Sequence, residues 1–210
     1  MTRDEPESGP PRISTIPSAD AEPGRVAIQY PGGLAARFRW TGSGKGDAIF
    51  ALTEAGGTLT DHGQLVAPEP DRLCRAEIRV EGPLGAWTAR FASVIFDTPQ
   101  GTYWDTAGLL VLKYGFIAYG LEGRTGDLRW NHQSSTPILS VLGSSRLDHV
   151  IVQSEIETVA LDQTGSPVWR IAHSDVVADA ELVGGRLVLT SYGGQLQAID
   201  PETGRSLDGR

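Results

Sequence analysis

Three versions of one turn recur at a fixed step in the C-terminal half of the chain. They are Leu121-Glu-Gly-Arg-Thr-Gly126, Leu161-Asp-Gln-Thr-Gly165 and Ile199-Asp-Pro-Glu-Thr-Gly204. Their Thr-Gly pairs fall at 125/126, 164/165 and 203/204, so the step is 39 residues both times (125 to 164, 164 to 203). A repeat near 40 residues marks a stacked or radial architecture, in which each unit buries its apolar face on the next.

Within a unit the order of segments is constant. An apolar strand comes first (109–112, 150–152, 187–189), then a short turn, then a strand ending in Leu/Ile-Asp/Glu. The Thr-Gly turn follows, and after it a strand carrying Trp130 or Trp169, four residues beyond Gly126 or Gly165. Residues 136–142 and 176–183 supply a fourth strand to each unit, and four short antiparallel strands in about 40 residues make one propeller blade. In the turn, Asp162 or Asp200 can accept backbone N–H groups two or more residues on, while Gly126, Gly165 and Gly204 supply the reversal. Trp130 and Trp169 offer large flat faces for packing between blades.

Ala160-Leu-Asp-Gln-Thr-Gly-Ser-Pro-Val-Trp169, with 120–130 and 198–204 as weaker copies, resembles the quinoprotein-like (PQQ-like) β-propeller repeat. The third copy departs from it, because position 208 is Asp rather than Trp. The resemblance implies a propeller over roughly the last 105 residues and leaves function open, because such repeats serve enzymes, assembly factors and sensors alike. It also implies where a quinone enzyme would differ: about eight blades, an export signal and dedicated pyrroloquinoline and calcium ligands. Here residues 25–210 divide by 39 into fewer than five blades, and there is no vicinal Cys pair and no acidic calcium loop. No cofactor and no metal are expected.

Before the repeats, period-2 strands broken by Gly/Pro turns run from 25 to 98: Val26, Ile28 and Tyr30; Ala36, Phe38 and Trp40; 47–52; 73–80; and a longer strand from Trp87 to Phe96. No helical stripe is sustained anywhere. The expected fold is all-β: propeller-like four-stranded blades, about three of them clear, with an N-terminal antiparallel β-sheet region. The expected organisation is an acidic, Pro-rich tail at 1–24, an antiparallel region at 25–98 built as divergent blades or a small sheet, and repeats at 99–210. The third unit stops short of its last strand at Arg210, so 25–98 or a second copy of the chain is expected to complete it.

The net charge of −8 argues against nucleic-acid or anionic-membrane partners, which need Lys/Arg to neutralise phosphates. No apolar stretch approaches the ~18 residues of a membrane span, and the first residues lack a signal-peptide core, so a cytoplasmic protein is expected. The single cysteine, Cys74, lies on an apolar strand face and reads as a small core residue.

Catalytic constellations are weak. Residues 40–47 contain a Gly-Lys but lack the P-loop spacing and the Ser/Thr after Lys, and read as a hairpin tip. His62, His132, His149 and His173 show no metal-pair spacing. His132 and His173 each follow a blade Trp and are expected in the loops joining one blade to the next, and Asp175 is placed to orient His173. These three are the candidate ligand-binding set. Ser134, Ser135, Ser144, Ser145 and Ser154 lack a nucleophile elbow, and Glu155/Glu157 and Asp175/Asp179 read as solvated charges. Tyr103, Trp104, Tyr114, Phe116 and Tyr119 are the candidate partner-binding aromatics.

The expected function is a non-catalytic, propeller-type protein-binding or scaffold module with a protein partner. The alternatives are a small-ligand sensor or hydrolase-type enzyme with its site in the inter-blade loops, and a subunit completing a propeller by self-association.

Overall fold

A computed structural model describes residues 24–42, 58–61 and 73–207. The expected tail up to residue 23, the strand at 47–52, the hairpin tip beyond Gly42 and His62 lie outside the described residues. Sixteen strands are described in four sheets.

The first sheet contains β1 (Gly24–Tyr30), β2 (Leu34–Thr41), β3 (Thr58–Asp61), β4 (Cys74–Gly82) and β5 (Gly85–Ser93), in the order β1-β2-β4-β5-β3. Residues 24–93 thus contribute one five-stranded sheet. It departs from the expected antiparallel pattern at one edge, where β3 runs parallel to β5. The long strand expected to reach Phe96 ends at Ser93, whose Oγ accepts from Ile95 N at 3.2 Å and turns the chain.

Three further sheets follow in register with the repeats. The second is β6 (Gln100–Trp104), β7 (Leu109–Tyr114), β8 (Ile117–Glu122) and β9 (Leu128–Gln133). The third is β10 (Ile138–Leu142), β11 (Val150–Ser154), β12 (Glu157–Leu161) and β13 (Pro167–Ala172). The fourth is β14 (Val177–Val183), β15 (Arg186–Ser191) and β16 (Leu196–Ile199). In the fourth sheet Ser206 bridges back to Ile199, and Leu207 N donates to Ala198 O.

The strand after each blade Trp does not close its own unit, as the repeat phase suggested. It opens the next one: β10 pairs with β11, and β14 with β15. The reason lies in the loops. Ser134 N donates to Phe116 O and Ile138 N to Gly115 O, which carries the chain across the end of one sheet before the next strand starts.

The core lies between the sheets, in three layers. Phe38, Ile78, Trp87 and Phe91 of the first sheet meet Leu110, Leu112, Tyr114 and Tyr119 of the second. Val111, Ala118 and Trp130 of the second meet Val150, Val152, Val159 and Leu161 of the third. Ile151 and Trp169 of the third meet Val177, Leu187, Leu189 and Ile199 of the fourth. Cys74 is buried in the first layer.

One contact recurs at all three layers, a tryptophan of one sheet lying on the glycine of the next sheet's turn. A Cβ at Gly126 would come within 2.5 Å of the Trp87 ring, one at Gly165 within 2.7 Å of Trp130, and one at Gly204 within 2.8 Å of Trp169. Each of these glycines also has a φ between +71 and +81, which an L side chain adopts only with strain. The indole N–H can add a hydrogen bond three residues before that glycine: Trp87 Nε1 donates to Gly123 O at 3.0 Å and Trp169 Nε1 to Pro201 O at 3.2 Å. Trp130 and Trp169 thus lie against the turn glycine of the next sheet, and Trp87 does the same for the first sheet.

Two substitutions test this contact. Trp130→Ala should cost about 3–5 kcal/mol, as for other buried large aromatics. Gly165→Ala should cost more than about 1 kcal/mol through the left-handed backbone alone, with the ring clash added. Urea denaturation of both variants measures this, and losses below about 0.5 kcal/mol would show that the ring–turn contact contributes little.

Candidate functional site

The strands alternate in direction, so the propeller sheets have two distinct ends. The Asp/Glu-Thr-Gly turns lie at one end. There Asp162 Oδ1 accepts from Thr164 N (2.8 Å), Thr164 Oγ1 (2.6 Å) and Ser166 N (3.0 Å). Asp200 accepts from Glu202 N and Thr203 Oγ1, both at 2.9 Å. These bonds hold both carboxyls below their ordinary range, led by the Thr164 hydroxyl at Asp162 and the Glu202 amide at Asp200. The first turn works differently: Glu122 accepts from Arg129 Nη2 at 2.6 Å, and Thr125 Oγ1 donates to Asp127 at 2.7 Å.

The opposite end is built from residues 115–116, 134–137, 155–156, 173–176 and 192–195. Backbone bonds tie its loops in sequence: Glu155 N to Pro137 O (3.3 Å), Val177 N to Glu155 O (2.7 Å), His173 N to Ile156 O (2.8 Å) and Tyr192 N to Val176 O (2.7 Å). Between the third and fourth sheets this end opens into a cleft of about 350 Å³. Ile171, His173 and Asp175 line one side of it, and Val177, Leu189 and Leu196 are on its other wall.

His173 sits at the head of a directional hydrogen-bond chain. Thr158 Oγ1 donates to Gln153 Oε1 at 2.5 Å, so it accepts from His173 Nε2–H at 2.6 Å. Gln153 Nε2 then donates to Ser154 O (2.6 Å) and Glu157 O (3.2 Å). The carboxylate whose field reaches His173 is Glu157. Asp175 is exposed, and its Oδ1 accepts from Val176 N at 2.8 Å.

His132 does not join this cleft. It lies not in a loop, as expected, but on β9, which runs on past Trp130 to Gln133, and it is on the face turned to the third sheet, where Glu157 and Arg170 form an ion pair of 3.2 Å. The third sheet therefore stands between His132 and His173, and the three-residue set divides into a pair and a single. His132 Nε2 is buried without a hydrogen-bond partner. Burial lowers the pKa of both histidines, and the Glu157 charge offsets this only in part.

The aromatic partner patch is not a surface. Trp104, Tyr114 and Tyr119 are buried, because alternation along β6, β7 and β8 turns them into the layers between sheets. Tyr119 packs on Phe91 with ring centroids 4.7 Å apart, and burial pushes its pKa up to about 12. Tyr103 and Phe116 are half-buried, and Tyr103 lies beside Tyr30 with centroids 6.3 Å apart.

Sequence reasoning passed over the side chains that are exposed at the loop end. Tyr192 is 63% and Leu196 70% exposed, with Val176 and Ile156 near them. It also missed Gln153 and Thr158, and the pair Lys113–Asp97, joined at 2.6 Å with Asp97 also accepting from Gly115 N. The signal that could have found Tyr192 and Leu196 is the Gly193-Gly194 turn between them, which breaks the apolar alternation.

The family model described as "Outer membrane protein assembly factor BamB" matches residues 115–207. This stretch is a PQQ-like propeller repeat. No curated protein matches the chain. Among solved structures, HIRA(644-1017) aligns with a TM-score of 0.49 at 12% identity, covering 94% of this chain and 57% of that one. BamB from Moraxella catarrhalis aligns at 0.47 and 13%, covering 89% and 65%. A europium-containing methanol dehydrogenase aligns at 0.40 and 14%, covering 47% and 22%. The chain spans less than two thirds of each of these three.

The PQQ-like repeat raises the question of a quinone with its metal. Among the described residues no three His, Cys, Asp or Glu side chains are placed together to hold a metal ion.

The lowered histidine pKa values set a pH dependence. A histidine whose folded pKa lies below its unfolded value contributes stability above about pH 6.5, lost as pH falls through the folded pKa. Melting temperature should therefore drop between pH 7 and 5, and the drop should shrink in His132→Gln/His173→Gln. Asp162 and Asp200, lowered from 3.8, contribute a separate loss beginning below about pH 4. A melting temperature flat from pH 7 to 5 in the unsubstituted protein would contradict the histidine assignment.

Proposed function

We propose that the protein is a non-catalytic, propeller-type binding module that engages a protein partner through the loop end of its last two sheets. The observation that carries this reading is the exposed apolar set Ile156, Val176, Tyr192 and Leu196 at that one end. It flanks the 350 Å³ cleft, with Leu196 in the cleft wall. A large exposed Tyr beside a Leu, surrounded by the polar groups of Ser174, Asp175 and Gln195, has the apolar-centre, polar-rim make-up of a protein interface. The description of the matching model as that of an assembly factor supports a binding role.

The chemistry of the cleft supports binding over catalysis. His173 spends its Nε2–H on Thr158, and Asp175 is satisfied by a backbone amide. The hydroxyl joined to this histidine, Thr158 Oγ1, is buried and directs its proton to Gln153 Oε1 rather than into the cleft.

The test is site-specific photo-crosslinking. A photoreactive residue in place of Tyr192 or Leu196 should capture one discrete protein from source lysate, and in place of Val183, which is exposed at the opposite end, it should not. Tyr192→Ser/Leu196→Ser should abolish competition by unlabelled protein while altering stability by no more than about 0.5 kcal/mol. Equal capture from both ends would remove the loop end as the interface.

A further inference from the structure

The first sheet carries a second surface of opposite character. Alternation sends Phe38, Ile78 and Ala89 into the core and their neighbours outward, and those neighbours form two rungs across the strands. One rung is Arg25, Arg39, Glu77 and Arg90; the next is Ala27, Arg37, Arg79 and Thr88. Glu77 pairs with Arg39 and with Arg90, the latter at 3.1 Å. Glu81 pairs with Arg79 at 3.0 Å and Arg37 at 3.5 Å. Among the described ion pairs Glu77 and Glu81 each meet two of these arginines, and Arg25 lies on the same face, in a chain whose net charge is −8.

Arg25 lies directly across from Arg39, and Arg37 from Arg79. Like charges opposite one another destabilise a sheet; Glu81 bridges Arg37 and Arg79, and Glu77 meets Arg39, so the place where a further anion adds most is beside Arg25. The rungs border a concavity of about 400 Å³ lined by Arg25, Arg37, Arg39, Glu77, Arg79 and Thr88. It is open on the β1–β2 side, where the Arg37 and Arg39 side chains are 59% and 42% exposed.

Two further features select the form of the anion. Among the described strands β1 pairs with β2 alone, which leaves one of its sides as a sheet edge able to take another strand. Arg37 and Arg39 are two residues apart on one strand, about 7 Å. Carboxylates on alternate residues of an extended peptide repeat at the same spacing.

We propose that this trough binds an acidic, extended segment of a partner protein. The segment pairs with the edge of β1 and sets alternate carboxylates against Arg25, Arg37 and Arg39. The surface is separate from the loop end of the last sheets and does not depend on it.

The experiment measures fluorescence anisotropy of a labelled peptide alternating Glu and Val with the full chain, beside two controls. One control replaces Glu by Lys, and the other keeps the charges but N-methylates alternate amides so that the peptide cannot pair with an edge. The Glu peptide should bind, bind more weakly as salt is raised, and lose at least tenfold in affinity in Arg25→Gln/Arg37→Gln. Both substituted residues are exposed, and circular dichroism checks that the fold is kept. Tyr192→Ala should leave this affinity unchanged, which separates the trough from the proposed loop-end interface.

Equal binding of the Lys peptide, or undiminished binding by the Arg variant, overturns the proposal. Equal binding of the N-methylated peptide overturns the strand-addition mode. Residues 1–23 carry five acidic and two basic side chains. If the peptide binds only after Asp4, Glu5, Glu7, Asp20 and Glu22 become amides, the chain's own first segment is the occupant and the partner is overturned.

Discussion

The position of each sheet on the next rests on one contact, a tryptophan ring lying where a turn glycine has no side chain. The glycine supplies two things at once. Its positive φ reverses the chain within a short turn, and its missing Cβ lets the neighbouring indole approach to within van der Waals distance of backbone. Any other residue would fail on both counts. Because Trp87, Trp130 and Trp169 meet Gly126, Gly165 and Gly204 in the same manner, the first sheet is placed against the second by the rule that places the second against the third. That holds although its strand order and its parallel edge differ from theirs.

This contact divides the labour between the two ends of the blades. At the turn end, Asp162 and Asp200 consume backbone amides and hold the loops in a shape that receives a ring. Residues there have little freedom to vary. At the other end the loops are joined to one another by main-chain bonds from blade to blade, which do not depend on side-chain identity. Side chains such as Ile156, Val176, Tyr192 and Leu196 are therefore free to face outward without loss of the fold. Function placed at that end leaves the packing rule untouched.

The repeat unit was legible because its determinants are local. A turn with Asp, Thr and Gly at fixed spacing, followed by Trp130 or Trp169, states its geometry within about ten residues. What was not legible depended on pairing across distance. The phase of β10 and β14 is decided by Ile138 N and Val177 N reaching back to carbonyls of the preceding turn, an interaction absent from any local pattern. Trp87 has no Thr-Gly turn before it, so its equivalence to Trp130 appears only when its ring is found on Gly126. The same limit explains the division of the candidate site. His132 and His173 both follow a Trp, but at offsets of two and four, on β9 and just beyond the end of β13, in consecutive sheets that face consecutive interfaces. The aromatics at 103–119 looked like a patch because they are close in sequence, whereas alternation sends Tyr114 and Trp104 to opposite layers.

Equivalent places in successive blades show where the repeat has been released from packing alone. Lys113 and Ala118 of the second sheet correspond to Gln153 and Thr158 of the third, each 40 residues on, and Ser134 corresponds to His173, 39 residues on. In the earlier blade the buried Lys113 is met by an ion pair with Asp97, contributed from outside the repeat. In the later blade the polar groups at these positions are met within the sheet, by the chain from His173 through Thr158 to Gln153. A buried cation needs its counter-ion in place, and losing it leaves an uncompensated charge. A neutral hydrogen-bonded chain needs no such partner, and it leaves the His173 ring at the wall of an open cleft. In the sheet beside the exposed Tyr192 and Leu196, the polar groups at these positions thus satisfy one another without a counter-ion from outside the repeat.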